Sequence, residues 1–333
     1  MSAPHSTRSL ILANGGLLVM VTIAGAFFPI LERMLLSWDV LSVTAARQLV
    51  GGIGLWVALA FYERRLPRAR ARLWPRLFLV GGLGIALSSV LTSVAVYYSD
   101  GVSAAIVSAA NPITAALLAR LLYRLPLARA VLIGAVLAVA GGLLAILASG
   151  KSLGSLRGGE VLMVAAGAIW TWYSVAAQRL LAGHSQLAIA ALTTLPAGLV
   201  VLALVGLVGA TGLMELRVDL SPASLLLLAY AGLLSIGLGN VLWHYGVSRV
   251  GVAVSTMYTN LMPVAAVLAA LWFGQSLRAA QLVGGAIILG GVVYAQLASR
   301  RDHAHAANRL GVAPVAAEGQ PSSVSRREAL RQG

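Results

Sequence analysis

The sequence predicts an all-α integral membrane protein of ten transmembrane helices, arranged as two inverted five-helix repeats. Three observations support this prediction: the composition, a series of long apolar segments, and an internal repeat. Of the 333 residues, 59% are hydrophobic and only 10% are charged, with a mean hydropathy of +0.89. A soluble domain carries about 25% charged residues, and it cannot bury this much apolar surface. The composition therefore indicates that most of the chain lies in a bilayer.

Apolar segments long enough to cross a bilayer recur along the chain. A spanning helix needs about 20 mostly apolar residues, and lipid offers backbone groups no partners, so spans are helices or closed barrels. Barrel strands are short and alternating, whereas these segments are long and continuous, which indicates helices. The predicted spans are Leu10–Leu31, Val40–Phe61, Leu77–Tyr98, Val102–Leu122, Ala130–Ala148, Val161–Leu181, Leu187–Val208, Leu225–Val247, Val252–Phe273 and Leu282–Leu297.

The basic residues predict the orientation. The net charge is +14, but the Arg residues lie in gaps between apolar segments without interleaved aromatic residues, so no nucleic-acid partner is expected. Lys and Arg concentrate in cytoplasmic loops, which predicts that both termini are cytoplasmic. The Ala- and Arg-rich composition indicates a bacterial chain, and hence a multi-pass protein of the cytoplasmic (inner) membrane. Residues 300–333 lack an apolar period, and we expect them to form a disordered cytoplasmic tail.

The chain also repeats itself. The stretch GVSAAIVSAANPITAALLARLLYRLPLARAVLIGAVLAVAGG is matched later by GVAVSTMYTNLMPVAAVLAALWFGQSLRAAQLVGGAIILGG. Each unit holds five spans, and because five is odd the second unit enters the membrane from the opposite side, as in many secondary transporters. We predict one repeat at residues 1–149 and the other at residues 150–299. The matched pairs are Gly101 with Gly251, Pro112 with Pro263 one residue out of step, Leu127 with Leu277, Gly134 with Gly284, and Gly141 with Gly291.

On these motifs the chain resembles the EamA-type transporters of the drug/metabolite transporter superfamily. The resemblance covers residues 10–298, where Pro263 and Gly274 match the penultimate span of the family and a Leu- and Gly-rich span follows. Gln275 stands where the family pattern has Glu, and Arg47 resembles an Arg common in the second span. The resemblance implies efflux of small metabolites, such as amino-acid-like or amphipathic organic solutes, by alternating access between the halves.

Two other classes of function compete with transport. A membrane-embedded enzyme needs clustered carboxylates, paired aspartates or HExxH-type ligands, and the sequence has none of these patterns and no cysteine. We therefore predict no enzymatic activity, no metal and no cofactor. A non-transporting receptor or scaffold fits the hydropathy but leaves the repeat unexplained. The expected partners are a small-molecule substrate and the lipid bilayer, and a homodimer stays open.

Two prolines mark the predicted hinges. A proline inside a helix removes one hydrogen bond and displaces the carbonyl four residues back. Pro112 and Pro263 would thus free the carbonyls of Ser108 and Thr259, at corresponding places in the two halves. A freed carbonyl in a bilayer needs water, a neighbouring helix or a substrate as its partner. Kinks with contacts between helices are the alternative reading.

Polar and aromatic side chains within the spans are the candidates for a substrate site, since polar groups in a membrane mark function by default. Asparagine amides both donate and accept hydrogen bonds, whereas deep aromatic side chains either line a cavity or belong to an interfacial belt. His244 is the histidine within a predicted span, where a coupling role competes with simple contact with water. The predicted substrate-lining residues are Ser89, Thr92, Ser108, Asn111, Trp170, Tyr173, Asn240, His244, Tyr258, Thr259 and Asn260.

Arg47 lies within the second predicted span, where an unpaired charge is costly. Asp39, Glu32 and Asp100 are all predicted near the same end of the spans. We expect one of them to form a structural ion pair with Arg47, in preference to an anion site. Acidic residues are otherwise absent from the middle of the spans, which gives little support for ion or proton coupling.

Overall fold

The fold is helical throughout the part of the chain that the structure describes. The computed structural model describes residues 7–63, 73–111, 113–114, 117, 120, 129–147, 158–275, 279 and 282–294. No β-strand occurs among these residues. The helices are α1 (Thr7–Met34), α2 (Val40–Tyr62), α3 (Trp74–Tyr98), α4 (Gly101–Ser108), α5 (Arg129–Leu147), α6 (Gly159–Leu180), α7 (Gln186–Thr211), α8 (Pro222–Gly251), α9 (Val254–Trp272) and α10 (Leu282–Tyr294).

Seven of the described helices, α1, α2, α3, α6, α7, α8 and α9, are long and apolar enough to cross a bilayer. Their outer surfaces carry large apolar side chains, among them Phe61, Leu226 and Leu268, each more than 60% exposed. Apolar surface on this scale needs lipid rather than water around it. The chain is therefore a multi-pass integral membrane protein.

Three predicted spans are not settled by the described residues. α5 and α10 are apolar but shorter over the residues searched, and α4 comprises eight residues. The rest of the predicted span Val102–Leu122 falls largely outside the described residues, as does the predicted tail at residues 300–333. These three spans, the tail and the cytoplasmic position of the termini stay predictions.

Side-chain caps begin several helices and mark the two ends of the bundle. Asp39 caps α2 by accepting hydrogen bonds from the N–H groups of Leu41 and Ser42, at 3.0 and 2.9 Å. Such caps satisfy donors that the first turn of a helix leaves without partners. At the other end of α2, the hydroxyl of Ser185, which caps α7, donates to the carboxylate of Glu63. We call these two ends the Asp39 end and the Glu63 end.

Polar contacts bind the loop before α8 to the turn between α1 and α2. The N–H of Asp39 donates to the carbonyl of Arg217 at 3.0 Å, and the N–H of Arg217 donates to Oδ2 of Asp39 at 2.8 Å. Ser37 Oγ donates to Asp219 at 3.1 Å. The backbone N–H of Ser221 holds the pKa of Asp219 below its usual value, and the Ser221 and Ser37 hydroxyls act in the same direction. Asp219 therefore accepts these hydrogen bonds as an anion at neutral pH.

A hydrophobic core fills the bundle at the Asp39 end. It draws on α1, α2, α3, α4, α6, α8 and α9, so it binds most of the described helices to one another. Trp38 within it donates from Nε1 to Ser224 Oγ at 2.7 Å. We call this set the Asp39-end core: Phe27, Phe28, Ile30, Leu31, Met34, Leu35, Trp38, Val43, Ala95, Val96, Ala104, Ala105, Met163, Leu228, Ala231 and Ala266.

Two of the long helices contain a π-helical stretch. One is Val80–Ala86 in α3 and the other is Tyr230–Leu238 in α8, and their first residues are 150 positions apart. The same spacing separates Gly101 from Gly251. π-Helical turns are rare and occur frequently at functional sites. Both stretches lie mid-helix, where their irregular backbone reaches the centre of the bundle.

The chain turns sharply between α8 and α9. Gly251 has φ 81° and ψ 161°, a conformation that residues with a side chain rarely adopt. Further along, the α-helix tightens into a 3₁₀ turn at Thr259–Leu261. The corresponding place after α4 also has i→i−3 hydrogen bonds, from Ala109 N–H to the Ile106 carbonyl and from Ala110 N–H to the Val107 carbonyl.

This 3₁₀ turn corrects the prediction about Pro263. Pro263 is buried in the first turn of the α-helical segment Met262–Trp272. The N–H of Met262 donates to the carbonyl of Thr259, so that carbonyl is not free as predicted. Tightening of this kind supplies partners to carbonyls at a helix end. Pro112, the other predicted hinge, lies outside the described residues, and the hinge role of both prolines stays a prediction.

Glycines allow several helices to approach closely. A Cβ at Gly141 of α5 would lie 2.7 Å from the carbonyl oxygen of Gly284 in α10. A Cβ at Gly291 of α10 would lie 3.1 Å from the carbonyl oxygen of Gly134 in α5. Gly25 of α1 lies against the carbonyl of Met262 in α9. Small residues at such crossings are how membrane helices pack without a hydrophobic driving force between them.

The close approach of α1 to α9 can be tested with one glycine pair. We expect Gly25→Ala to lower the stability of the protein by about 1–3 kcal/mol, because the added methyl group overpacks this crossing. Gly15→Ala, in the same helix, is the matched control, since among the described residues no atom of another helix lies within 4 Å of a Cβ at that position. The measurement is the apparent melting temperature in detergent. Equal melting temperatures for the two variants would contradict the packing described.

Candidate substrate cavity

A cavity of about 160 Å³ lies in the middle of the bundle. The residues that line it come from α1, α2, α3, α6, α8 and α9, and from α4 and the residues just after it. Both π-helical stretches reach it, through Ile85 on one side and through Ser235 and Ile236 on the other. Irregular backbone at membrane depth is tolerated where it lines a cavity.

One wall of the cavity is apolar and aromatic. Phe27, Phe28 and Met163 line it and also belong to the Asp39-end core, so the core begins at the cavity wall. Trp170 and Trp243 form a second aromatic surface, with ring centroids 6.4 Å apart and an interplanar angle of 49°. Walls of this kind bind the apolar parts of organic molecules.

The other wall is polar and centres on α3. Ser88 donates to the carbonyl of Ala166 at 3.0 Å, which binds α3 to α6. Thr92 donates to the carbonyl of Ser88 at 2.8 Å. Gln48 Nε2 donates to Ser89 Oγ. Ser88, Ser89 and Thr92 line the cavity, and hydrogen bonds to α6, to α2 and within α3 fix the positions of their hydroxyl groups.

Asn111 reaches the cavity beside a glycine. No protein atom among the described residues forms a hydrogen bond with its side chain. Its amide lies against Gly167 of α6, in the place that a Cβ at this glycine would occupy. The absence of a side chain at Gly167 therefore leaves room for the Asn111 amide, whose donors and acceptor remain available to a solute.

Arg47 also lines the cavity, and no acidic side chain among the described residues binds it. The residue is 4% exposed. Its Nη2 donates to the carbonyl of Ser89 at 3.2 Å, and its guanidinium carbon lies 4.7 Å from the centre of the Phe27 ring. Nε of Arg47 has no hydrogen-bond partner in the part of the chain that the structure describes.

The prediction of a structural ion pair for Arg47 is wrong within the described residues, because the three carboxylates predicted as its partners have other roles. Asp39 caps α2 and accepts from the N–H of Arg217. Asp100 caps α4 by accepting from the N–H of Ser103 at 2.7 Å. Glu32 accepts from the backbone of α4 and from a glutamine beyond α9.

The structure brings seven of the predicted substrate-lining residues together at this cavity. Ser89 and Thr92 come from α3, Trp170 from α6 and Asn240 from α8. Asn240 is mostly buried and donates from Nδ2 to Thr194 Oγ1 at 3.3 Å. Whether these residues contact a substrate stays a prediction. The seven residues are Ser89, Thr92, Ser108, Asn111, Trp170, Asn240 and Thr259.

Tyr173 and His244 do not line the cavity. Both side chains are fully buried. The hydroxyl of Tyr173 lies 2.8 Å from Thr193 Oγ1 and 3.1 Å from Nε2 of His244, and Nδ1 of His244 lies 3.3 Å from Gln178 Nε2. These contacts join α6, α7 and α8 through a network of side chains. Helix periodicity placed Tyr173 beside Trp170, but the Tyr173 hydroxyl is bound by α7 and α8 rather than by the cavity.

Tyr258 and Asn260 also lie off the cavity. The hydroxyl of Tyr258 donates to Oδ1 of Asn14 in α1 at 2.8 Å. Asn260 lies in the 3₁₀ turn, whose tighter winding changes which side chains of this segment share a face. The cavity instead receives Thr256, Thr259 and Met262 from here.

Several cavity residues had not been predicted. Gln48, Ser88 and Ser235 are polar residues within predicted spans, and that property was the signal that could have found them. Met20 and Phe27 carry no such signal. An apolar side chain that faces a cavity does not differ in sequence from one that faces lipid.

The sequence model of the EamA-like transporter family matches the chain twice, over residues 11–147 and over residues 157–296. The chain belongs to the EamA-like transporter family. The family and the relatives below are transporters rather than enzymes, which confirms the prediction that this EamA-like transporter is not an enzyme.

Three relatives and one solved structure are similar to this EamA-like transporter. A probable terminal-alkyne amino-acid exporter of Streptantibioticus cattleyicolor is 29% identical over 83% of this chain and 90% of that protein. The uncharacterized transporters YdfC and YyaM of Bacillus subtilis are 26% and 24% identical, over 84% and 65% of this chain and 89% and 71% of their own lengths. One crystal structure, described no further than as that of a protein, superposes with a TM-score of 0.60. At 22% identity, covering 89% of this chain and 98% of that chain, it shows the shared fold alone.

Gln275, which stands where the resemblance implied a Glu, contacts a carboxylate. Gln275 Nε2 donates to Oε2 of Glu32 at 3.3 Å, and the N–H of Gly101 donates to the same oxygen at 3.0 Å. Glu32 thus joins α1 to α4 and to the end of α9. A glutamate at 275 would place a second carboxylate beside Glu32.

We therefore expect Gln275→Glu to destabilise this junction by on the order of 1 kcal/mol more than Gln275→Ala, because like charges repel at a partly exposed site. The measurement is the apparent melting temperature of both variants in detergent at low and high salt. Added salt screens the repulsion and is expected to narrow the difference. Identical melting temperatures at low salt would contradict the role given to Glu32.

Proposed function

We propose that this EamA-like transporter exports small amino-acid-like or amphipathic organic solutes by alternating access between two inverted five-helix halves. The observation that supports this most directly is the mid-bundle cavity, which has one aromatic wall and one polar wall. Secondary transporters built from inverted repeats bind their substrates near the bilayer midplane, where the repeats meet. The cavity takes residues from both family matches, residues 11–147 and residues 157–296.

Several contacts support the inverted relation between the halves. The π-helical stretches recur at a spacing of 150 residues. At the α5–α10 crossing, Gly141 lies against Gly284 and Gly291 lies against Gly134. The repeat matches Gly134 with Gly284 and Gly141 with Gly291, so a twofold axis that exchanges the two repeats would convert one of these contacts into the other. Gly159, where α6 starts, lies against the carbonyl of Ala95 near the end of α3, at the Asp39 end. Because α1 ends at the Asp39 end, α1 and α6 run in opposite directions.

The packing at the Asp39 end supports a state in which the cavity is closed toward that end. The Asp39-end core continues from the cavity wall at Phe27 to Trp38, so apolar side chains fill the route to that end. Glu32 holds α1, α4 and the end of α9 together there. Alternating access would require this packing to separate while contacts form at the Glu63 end. With the predicted orientation, the closed Asp39 end is periplasmic, the membrane is the inner membrane and both termini are cytoplasmic.

The substrate class and the direction rest on the relatives. A probable terminal-alkyne amino-acid exporter is 29% identical over most of both chains. An amino acid combines a polar head group with an apolar side chain, and the two cavity walls match these two parts. Export is proposed because that relative is named an exporter.

Transport can be tested with a single cavity amide. In proteoliposomes we expect saturable counterflow of radiolabelled neutral amino acids, and we expect Asn111→Ala to reduce it by about 2- to 10-fold, the value of one neutral hydrogen bond. Asn14→Ala is the matched control, because Asn14 binds Tyr258 and does not line the cavity. Equal flux in both variants would exclude the cavity from the route. No flux of any neutral amino acid, with protein shown to be folded, would favour the scaffold reading.

The contact between Asn111 and Gly167 supports a double-mutant test. A methyl group at Gly167 would displace the Asn111 amide, so Gly167→Ala is expected to lower counterflow about as much as Asn111→Ala. The three atoms nearest to the added Cβ all belong to the Asn111 side chain. In the Asn111→Ala background, Gly167→Ala should therefore cause little further loss. Additive losses would show that the glycine acts through other neighbours.

A further inference from the structure

The cavity carries a single kind of charge. Among its described lining residues, Arg47 is the one charged side chain, and no Asp, Glu, Lys or His lines it. Arg47 makes one hydrogen bond, to a backbone carbonyl, and its Nε has no partner within the described residues. A buried charge without a partner is costly in a low-dielectric setting. An occupant that brings a negative group to this place would remove that cost.

Gln48, the next residue in α2, offers a hydrogen-bond acceptor. Gln48 is 2% exposed and lines the same cavity. Its Nε2 is bound to Ser89 Oγ, while its Oε1 is buried without a hydrogen-bond partner among the described residues. Arg47 donates to the carbonyl of the same Ser89. Both side chains are thus anchored on Ser89, through Arg47 Nη2 and Gln48 Nε2, and each keeps one group, a donor in Arg47 and an acceptor in Gln48, that lacks a partner among the described residues.

The chemistry of the guanidinium limits what can bind there. Its planar N–H groups match carboxylate and phosphate oxygens in a forked geometry. A phosphate carries about two negative charges at neutral pH, and the single cation of the cavity would leave one of them uncompensated. A carboxylate carries one charge and balances Arg47. The Phe27 ring, whose centre lies 4.7 Å from the guanidinium carbon, offers Arg47 a cation–π contact but no counter-charge.

We propose that Arg47 and Gln48 form a head-group subsite, in which Arg47 binds the carboxylate of the solute and Gln48 Oε1 accepts a hydrogen bond from its amino group. The apolar remainder of the solute then lies against Trp170 and Trp243. This inference rests on the proposed function, because it names the substrate group that the cavity of the transporter recognises. It replaces the structural ion pair predicted for Arg47 with a ligand.

The first test uses unmodified protein and needs no transport. L-Leucine, L-leucinamide and 4-methylpentanoate share one apolar chain and differ in the carboxylate and the amino group. A ligand that binds the folded protein raises its melting temperature in proportion to ln(1 + [L]/Kd). We expect leucine to bind about 10- to 100-fold more tightly than leucinamide, the value of a charged hydrogen bond. 4-Methylpentanoate should lie between them, because it keeps the contact with Arg47 and loses the contact with Gln48.

Variants assign the effect to the two residues. Arg47→Gln should weaken leucine binding by about 10- to 100-fold, and Gln48→Met should abolish the preference for leucine over 4-methylpentanoate. Arg249→Gln is the matched control, because Arg249 lies over the ring of Tyr245 and does not line the cavity. The comparison of ligands on unmodified protein keeps the test valid where a variant fails to fold.

The outcomes separate this inference from the proposed function. Tight binding of leucinamide, unchanged leucine binding in Arg47→Gln, or no binding of any carboxylate to unmodified protein would each overturn the head-group subsite. If the protein then transported solutes without a carboxylate, such as organic amines, the proposed transport would stand and the specificity for carboxylates would be refuted. Carboxylate binding that depends on Arg47, without flux of any solute, would support the subsite and refute the proposed transport.

Discussion

The structure depends on one constraint: a polar group inside a bilayer must find its partner within the protein. Most buried serine and threonine hydroxyls of the described spans accordingly bind backbone carbonyls or one another, as when Thr44 donates to the carbonyl of Val40 and lies 2.7 Å from Ser93, although Ser255 Oγ has no partner among the described residues. The 3₁₀ turn near Pro263 meets the same requirement for a carbonyl that the proline would otherwise free. Against this background the groups without partners stand out. Nε of Arg47 and Oε1 of Gln48 belong to side chains of the one cavity described in the middle of the bundle.

Close helix packing shapes the cavity as much as polarity does. Gly84 lets the ring of Tyr173 press against the π-helical stretch of α3, and Gly167 leaves room for the Asn111 amide. A methyl group at either place would meet atoms that already fill the space. The same principle seals the Asp39 end, where apolar side chains from most of the described helices interdigitate.

Seven of the eleven residues that the sequence predicted for a substrate site line the cavity, and four lie elsewhere. Polar residues at mid-span, such as Ser89 and Asn240, reach the cavity because the bundle offers them few other polar surroundings. Tyr173 and His244 are also polar residues within predicted spans, but they lie off the cavity. Tyr173 binds Thr193 of α7, and His244 binds Gln178 of α6. Helix periodicity gives the face of a residue on its own helix. It does not give the neighbour that the face meets.

What the sequence determined by itself was the class of protein. Composition, span length and the repeat established a helical membrane transporter, because the hydrophobic thickness of a bilayer acts on each segment separately. Tertiary structure decided which polar groups remain without partners. The sequence offered Asp39 and Asp100 as partners for Arg47, yet both act as helix caps at the end of the bundle. Only the packing of the helices shows that Arg47 lines the cavity without a carboxylate beside it among the described residues.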